Sequence, residues 1–261
     1  MFDLGGVALD NDAKGWHLQF GTEPYTAVVR RVTSLNVPGR DGVVPGLGLD
    51  REPVLLKLKV RMLAAKVREF LTLADQASKI ALTGGTTEAA CELVSAEPEN
   101  LSTMVPSVDV SVVLRLPGGA WRDVATSTSA AFSILSDAVS TTVMSGLSAP
   151  VQDAIVRVKG QATGLVVTDS SGAWFSYSPS IPTGSYLRFH SDTGEAFITG
   201  SDTWSGGTDV SGVVDFGGPR GGFELTPNFT DPATRSAGLT VSTSARSGAT
   251  IEVRGKRAYL V

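Results

Sequence analysis

The second half of the chain has no helical periodicity, and this feature constrains the fold most. From residue 149 onward, short runs rich in β-branched and aromatic residues are separated by turns rich in Gly, Pro and Asp. Several short strands that recur about every ten residues are typical of an antiparallel β-sandwich. The runs are 154–158, 164–168, 173–177, 185–190, 195–199, 222–225, 238–243, 249–253 and 257–260. The sequence therefore predicts a β-sandwich of the jelly-roll kind over 149–261.

The first part of the chain combines predicted strands with one amphipathic helix. Residues 15–20, 27–33 and 53–61 have strand composition, and the first and third of these alternate apolar and polar side chains. Two further strands are predicted over 86–96 and 107–116. Residues 62–77 instead repeat apolar side chains at helical steps, a stripe formed by Leu63, Val67, Phe70, Leu71 and Ala74. The sequence therefore predicts an α+β domain over 1–122, and a mainly β protein as a whole.

A stretch of different composition joins the two predicted domains. Residues 123–148 are rich in Ser, Thr and Ala and carry almost no charge. A chain of 261 residues is long enough for two domains, which agrees with a boundary in this region. We therefore interpret 123–148 as a connection with an extended segment at its end.

Residues 35–46, LNVPGRDGVVPG, stand out within the first domain. Two Pro-Gly pairs predict tight turns, because Pro fixes the first corner and Gly accepts a positive φ. The stretch is either a solvated loop or a projecting β-hairpin arm that docks onto a neighbouring subunit. The turn residues by themselves favour the loop, and an arm would have its tip formed by Pro38, Gly39, Arg40, Asp41 and Gly42.

Composition excludes several classes of function. The net charge is −4 and Lys and Arg are not clustered, which disfavours nucleic-acid binding. With one cysteine, Cys91, neither an intrachain disulfide nor a multi-cysteine metal site is possible. No stretch approaches the roughly 18 apolar residues that span a bilayer, so no membrane segment is expected. The N-terminus does not have the composition of an export signal, and synthesis in a cytoplasm is expected.

The sequence contains no recognisable catalytic constellation. His17 and His190 lack a neighbouring nucleophile motif, and both are interpreted as structural. Loop carboxylates such as Asp202, Asp209 and Asp215 favour turn chemistry, with calcium binding or glycoside hydrolysis as alternatives. We therefore predict no enzyme activity, no metal and no cofactor.

Trp204 is the best candidate for stacking on a sugar ring. It lies in a predicted loop of the sandwich, where an indole face can remain open to a ligand. A carbohydrate-binding protein that recognises a host cell-surface glycan is therefore the alternative function.

The order of these parts resembles the distal tail proteins (Dit) of long-tailed bacteriophages. The residues that carry the resemblance are NVPGRDG at 36–42, then the single helix, then strands that end near Trp121. In the second half, APVQDA at 149–154, GSYLR at 184–188 and GATIEVRGKRAYL at 248–260 are similar to phage minor tail proteins. The second domain resembles the galectin-like or carbohydrate-binding-module-like sandwich of that family.

The resemblance implies a structural role in the virion. It implies a ring, usually a hexamer, at the distal end of the tail tube, assembled in the bacterial cytoplasm. The partners would be the tail tube protein, the tail hub or tail-associated protein, and receptor-binding proteins or a host glycan. The family brings no catalytic residues, and only the role of the arm tip is transferred, onto Pro38–Gly42.

Overall fold

The computed structural model describes residues 2–19, 22, 34–36, 43–45, 53–82, 85–99, 106–228, 230 and 234–260. The chain divides into two compact units. One comprises Met1–Val124 with Leu260–Val261, and the other comprises Ala125–Tyr259. The division lies at 124/125, earlier in the chain than the predicted start of the sandwich at residue 149.

The first unit contains eleven described strands and one described α-helix. In chain order they are β1 (Phe2–Leu4), β2 (Val7–Ala8), β3 (Trp16–Leu18), β4 (Ser34–Asn36), β5 (Val43–Pro45), β6 (Val54–Leu63), α1 (Val67–Gln76), β7 (Lys79–Leu82), β8 (Thr87–Ala90), β9 (Glu92–Glu99), β10 (Ser107–Leu116) and β11 (Trp121–Asp123). One sheet has the order β3-β6-β10-β9, and a second contains β2-β1-β7-β8-β11. Strands β4 and β5 form a separate antiparallel pair.

Strict alternation in β6 and β10 builds the core of this unit. Every second side chain of β6 from Val54 to Met62 is buried, and β10 alternates in register from Val108 to Leu116. Helix α1 packs against this face, where the rings of Trp16 and Phe70 meet edge to face with centroids 5.2 Å apart. Burying one such aliphatic or aromatic side chain contributes about 1.5–3 kcal/mol, so the core rather than helix propensity stabilises α1.

Two boundaries in the first unit differ from the sequence prediction. The predicted helix over 62–77 begins five residues later, at Val67, after a 3-10 turn over Ala64–Lys66. Met62 is buried and Leu63 is 51% exposed, so the period-two pattern of β6 continues through both. The predicted strand over 86–96 is two strands, which are separated at Cys91.

The described residues of the second unit form thirteen strands. They are β12 (Ser127–Thr128), β13 (Phe132–Ser133), β14 (Ala138–Met144), β15 (Ile155–Thr163), β16 (Leu165–Asp169), β17 (Trp174–Tyr177), β18 (Tyr186–His190), β19 (Ala196–Thr199), β20 (Thr208–Asp209), β21 (Val214–Gly217), β22 (Ala237–Ser242), β23 (Ala245–Gly255) and β24 (Ala258–Tyr259). One sheet has the order β12-β23-β15-β18-β19-β20, with β13 also paired to β23, and the other has the order β14-β22-β16-β17-β21. All strand pairings among the described residues of both sheets are antiparallel, which gives the predicted mainly β sandwich.

Aromatic rings join the two sheets of the sandwich. Phe175 of β17 and Phe189 of β18 stack with centroids 4.3 Å apart and planes at 11°. Phe223 lies edge-on to both, at 5.1 Å and 5.7 Å. These rings are almost fully buried, so side chains from opposite sheets interdigitate as in other β-sandwiches.

The segment interpreted as a connection is part of the sandwich. Within 123–148, β12 and β13 pair with β23, and β14 pairs with β22. Their Ser and Thr side chains supply little apolar surface, so these strands depend on pairing with hydrophobic neighbours. Conversely, the predicted strand over 222–225 contributes an isolated bridge between Leu225 and Val151.

Candidate functional site

The sheet β3-β6-β10-β9 buries one face and presents charged side chains on the other. Residues directly opposite each other across paired strands share a face, so Arg61 of β6, Asp109 of β10 and Glu99 of β9 form one row. His17 of β3 continues that row beside Arg61. Lys59 and Ser111 form the next row. This group of residues is called the charged face below.

The charged face is connected by hydrogen-bonded ion pairs. Arg61 donates two bonds to Asp109, from Nε to Oδ1 at 2.7 Å and from Nη2 to Oδ2 at 3.0 Å. Lys59 Nζ donates to Glu99 Oε2 at 2.7 Å, and the Ser111 hydroxyl donates to the other oxygen of Glu99. Bidentate pairing of this kind fixes geometry as well as charge.

These bonds shift the pKa values of the carboxyl groups. The hydrogen bond from Arg61 lowers the pKa of Asp109, and the bond from Lys59 followed by that from Ser111 lowers the pKa of Glu99. The bond to Glu99 in turn raises the pKa of Lys59. Lys59, Glu99 and Asp109 therefore stay ionised at neutral pH. Since exposed ion pairs contribute little to stability and exchange partners readily, such a face suits protein–protein contact.

The proposed arm is represented by a short hairpin. Ser34 pairs with Pro45 and Asn36 pairs with Val43, which makes β4 and β5 antiparallel. The arm tip Pro38–Gly42 and the predicted strand over 27–33 lie outside the described residues. The role of the tip therefore remains a prediction.

The loop carboxylates of the sandwich are engaged in local structure. Asp169 is buried and accepts backbone N–H bonds from Ser171, Ala173 and Thr226 at 2.8–2.9 Å. Asp209 accepts both the hydroxyl and the backbone N–H of Ser211, and these bonds lower the pKa of Asp209. Among the described residues, no three metal-ligating side chains come together. These contacts are the turn chemistry that the sequence favoured.

Trp204 lies against arginine side chains. The guanidinium carbon of Arg157 is 4.1 Å from the centroid of the Trp204 ring, and that of Arg254 is 5.6 Å away. Arg157 also donates to Glu252, at 2.9 Å from Nε, and to Asp202, at 2.6 Å from Nη1. The indole is half-buried, and its contact with Arg157 is a cation–π interaction. Sugar stacking on Trp204 remains a prediction.

Sequence reasoning did not identify Arg157 and Arg188. Both residues occupy outward positions of alternating strands, which predicts solvent exposure, yet they are only 6% and 1% exposed. Burial followed by the nearby charge of Arg157 lowers the pKa of Arg188. Burial also lowers the pKa of His190. The ring of His190 lies edge-on to the ring of Phe197. The only sequence signal was the density of charged and aromatic residues in β15 and β18.

Cys91 is a structural thiol. It is buried, its Sγ lies 3.9 Å from the carbonyl oxygen of Ala77, and burial raises its pKa to about 11. A thiol with this pKa carries almost no nucleophilic thiolate at neutral pH. Within the part of the chain that the structure describes, no helix is both long and apolar enough to cross a bilayer.

The comparisons with known proteins identify a fold neighbour. No protein-family profile matches the chain, and no curated protein matches its sequence. Among solved structures, the Dit protein of phage SPP1 aligns over 98% of both chains with a TM-score of 0.60 at 10% identity. That protein is described as a paradigm of the hub adsorption apparatus in phages that infect Gram-positive bacteria. The phage p2 baseplate in its strontium-bound activated conformation aligns over 92% of this chain and 90% of its own, at 10% identity and a TM-score of 0.33, which is too low to support an argument.

The likeness to SPP1 Dit covers both units. The resemblance to distal tail proteins that the order of sequence elements indicated is thereby confirmed for the fold. Over nearly its whole length, this chain has the fold of a phage distal tail protein.

Proposed function

We propose that this protein is a structural subunit of a bacteriophage tail tip. Its copies form a hexameric ring that joins the tail tube to the tail hub, and its sandwich supports recognition of the host receptor. The observation that carries this proposal is the alignment of 98% of both chains with SPP1 Dit. A match limited to the sandwich would be uninformative, because β-sandwiches serve many functions, whereas both units match here.

The surfaces of the first unit support a ring. A ring requires heterologous contacts, in which one surface of a subunit meets a different surface of the next. The β4–β5 pair forms a two-stranded sheet of its own, and the charged face supplies a surface with alternating positive and negative groups. In this proposal Arg40 and Asp41 of the arm tip make polar contacts with the neighbouring subunit.

The chemistry of the described side chains supports a role without catalysis. The carboxylates Asp169 and Asp209 accept turn hydrogen bonds, and Asp202 is paired with Arg157. The Cys91 thiol is buried. Each of these groups is committed to a structural contact, and none of them is adjacent to a general base in a cavity.

The mass of the protein in solution tests the proposal. Size-exclusion chromatography with light scattering is expected to give about six times the 27.1 kDa of one chain. Arg40→Glu or deletion of residues 38–42 is expected to shift the mass towards one chain while the sandwich keeps its unfolding transition. Arg246→Glu is the matched charge reversal in the second unit, where Arg246 pairs with Asp137, and it should leave the mass unchanged.

The two parts of the proposal fail differently. A wild-type protein that stays monomeric at high concentration contradicts ring formation altogether. A ring that forms normally after deletion of residues 38–42 contradicts only the role of the arm.

A further inference from the structure

Arg188 is a buried cation without an anionic partner among the described residues. It lies in the middle of β18 and is 1% exposed. Its Nε and Nη2 atoms are buried and have no hydrogen-bond partner. Its described contact is with the ring of Phe197, whose centroid is 5.9 Å from the guanidinium carbon. Buried charges in proteins are ordinarily paired, because removing an unpaired ion from water costs several kcal/mol.

Among the described residues, the neighbours of Arg188 do not pair its charge. Strand register places Arg157 directly beside Arg188 on one side and Phe197 on the other. Tyr186 and His190, two residues away along β18, share the same face, and Nε2 of His190 is also buried without a partner. Arg157 is neutralised by Glu252 and Asp202, whereas Arg188 has no such neighbour in the described residues.

The orphaned atoms of Arg188 have a specific geometry. Nε and Nη2 form one edge of the planar guanidinium, and their N–H groups point in nearly parallel directions. This edge binds two oxygens of a carboxylate or phosphate group at once. Arg157 uses its own Nε–Nη2 edge to hold a carboxylate, since both atoms donate to Oε2 of Glu252. The equivalent edge of Arg188 is preorganised and lacks an acceptor.

We propose that Arg188 is the central residue of an oxyanion-binding site on the outer face of β15, β18 and β19. The ligand is a carboxylate or phosphate group, which binds the Nε–Nη2 edge of Arg188 beside Arg157 and His190. Tyr186 and Phe197 confine the site and keep the dielectric low, which strengthens each charge-assisted hydrogen bond. This inference does not rest on the proposed tail function.

Asp202 acts as an internal competitor for the ligand. It belongs to the loop between β19 and β20, its side chain is 67% exposed, and its carboxylate lies 2.6 Å from Nη1 of Arg157. Trp204 of the same loop contacts the same guanidinium. An incoming anion therefore meets Arg188 beside an Arg157 whose charge Asp202 and Glu252 already neutralise. Loss of the Asp202 charge should strengthen anion binding.

The experiment uses the full chain with inorganic phosphate and with D-glucuronate, each compared with chloride at equal ionic strength. At saturation, at least one of the two anions should raise the melting temperature by about 2–4 °C beyond the chloride control. Binding of phosphate alone identifies a phosphate ligand, and binding of glucuronate alone identifies a carboxylate ligand. Failure of both anions to stabilise the protein overturns the proposal.

Three variants separate a specific site from general salt effects. Arg188→Met should fold and melt at a higher temperature than wild type without anion, because it removes an unpaired buried charge. It should weaken anion binding at least about tenfold by calorimetry, since a bidentate charged contact is lost. Asp202→Asn should tighten binding. Arg246→Met, the control variant in the same unit, should bind the anions like wild type. If the anions stabilise Arg188→Met and wild type equally, the proposal is overturned.

Discussion

The outer faces of two sheets in this protein carry charge in contrasting ways. On the charged face of the first unit, Arg61 is paired with Asp109, and its side chain is 52% exposed. On the outer face of the sandwich, Arg157 and Arg188 are almost fully buried, and only Arg157 has carboxylate partners among the described residues. The two sheets have similar alternating strands, so the difference arises from what covers each face.

The comparison separates two uses of charge. An exposed, paired charge contributes little to stability and leaves the surface able to exchange partners, which suits assembly. A buried, unpaired charge lowers the free energy of unfolding, and it binds strongly to an anion that reaches it. Substitutions on the charged face of the first unit are therefore expected to affect association between subunits. Substitutions at Arg157 and Arg188 of the sandwich are expected to affect folding stability and ligand binding.

The largest expected effect comes from Arg157→Met. The substitution leaves Glu252 without the guanidinium that donates two hydrogen bonds to its Oε2, and it releases Asp202 and Trp204 of the β19–β20 loop. Glu252 retains 23% side-chain exposure, so the expected loss is about 2–3 kcal/mol of unfolding free energy, below that of a fully buried pair. Urea denaturation of wild type and variant measures this loss of unfolding free energy. The matched variant Arg61→Met should have a much smaller effect, and equal losses would invalidate the contrast.

An intermediate effect is expected from the pH dependence of His190. Its pKa is lowered in the folded state, chiefly by burial and then by Arg188. The unfolded state therefore binds the proton more readily, and stability should fall as the pH drops below the ordinary value of 6.5. His190→Phe should remove this dependence between pH 7 and 5. Thermal unfolding across that range checks it, and an unchanged slope in the variant would refute the assignment.

The smallest effect is expected from Asp109→Asn. Because the folded-state pKa of Asp109 is lowered, its ion pair stabilises the protein above the ordinary value of 3.8, and that contribution disappears as the pH falls through the lower folded-state value. The variant should therefore lose less stability than wild type on acidification below pH 4. Urea unfolding at pH 7 and pH 3 measures the difference. A steeper acid dependence in the variant would show that the sign is wrong.

Regular alternation made part of the fold predictable. Residues 107–116 were predicted as a strand with the bounds observed for β10, because Val108, Val110, Val112 and Leu114 repeat without interruption. The helix boundary was less accurate because Met62 and Leu63 satisfy both a period of two and a period near 3.6. The strands within 123–148 lack an apolar pattern of their own and depend on partners between 93 (Met144 to Ala237) and 128 (Ser127 to Gly255) residues away.

The candidate site was less predictable than the fold. Alternation assigns Arg188 to the outer face, and outer-face arginines are ordinarily solvated. Its burial results from tertiary packing that local sequence does not encode, including Phe197 on the neighbouring strand. The Pro-Gly turns of residues 35–46 are visible in the sequence, but the arm stays a prediction because its tip lies outside the described residues.

The central claim is that a chain with the fold of SPP1 Dit assembles as a tail-tip ring. Negative-stain electron microscopy of the purified full-length protein tests it most directly. We predict class averages of a closed ring with sixfold rotational symmetry and a central opening. The protein is fixed at a concentration well above that used for imaging and is then diluted. A uniform population of isolated single-chain particles in these images would contradict the claim.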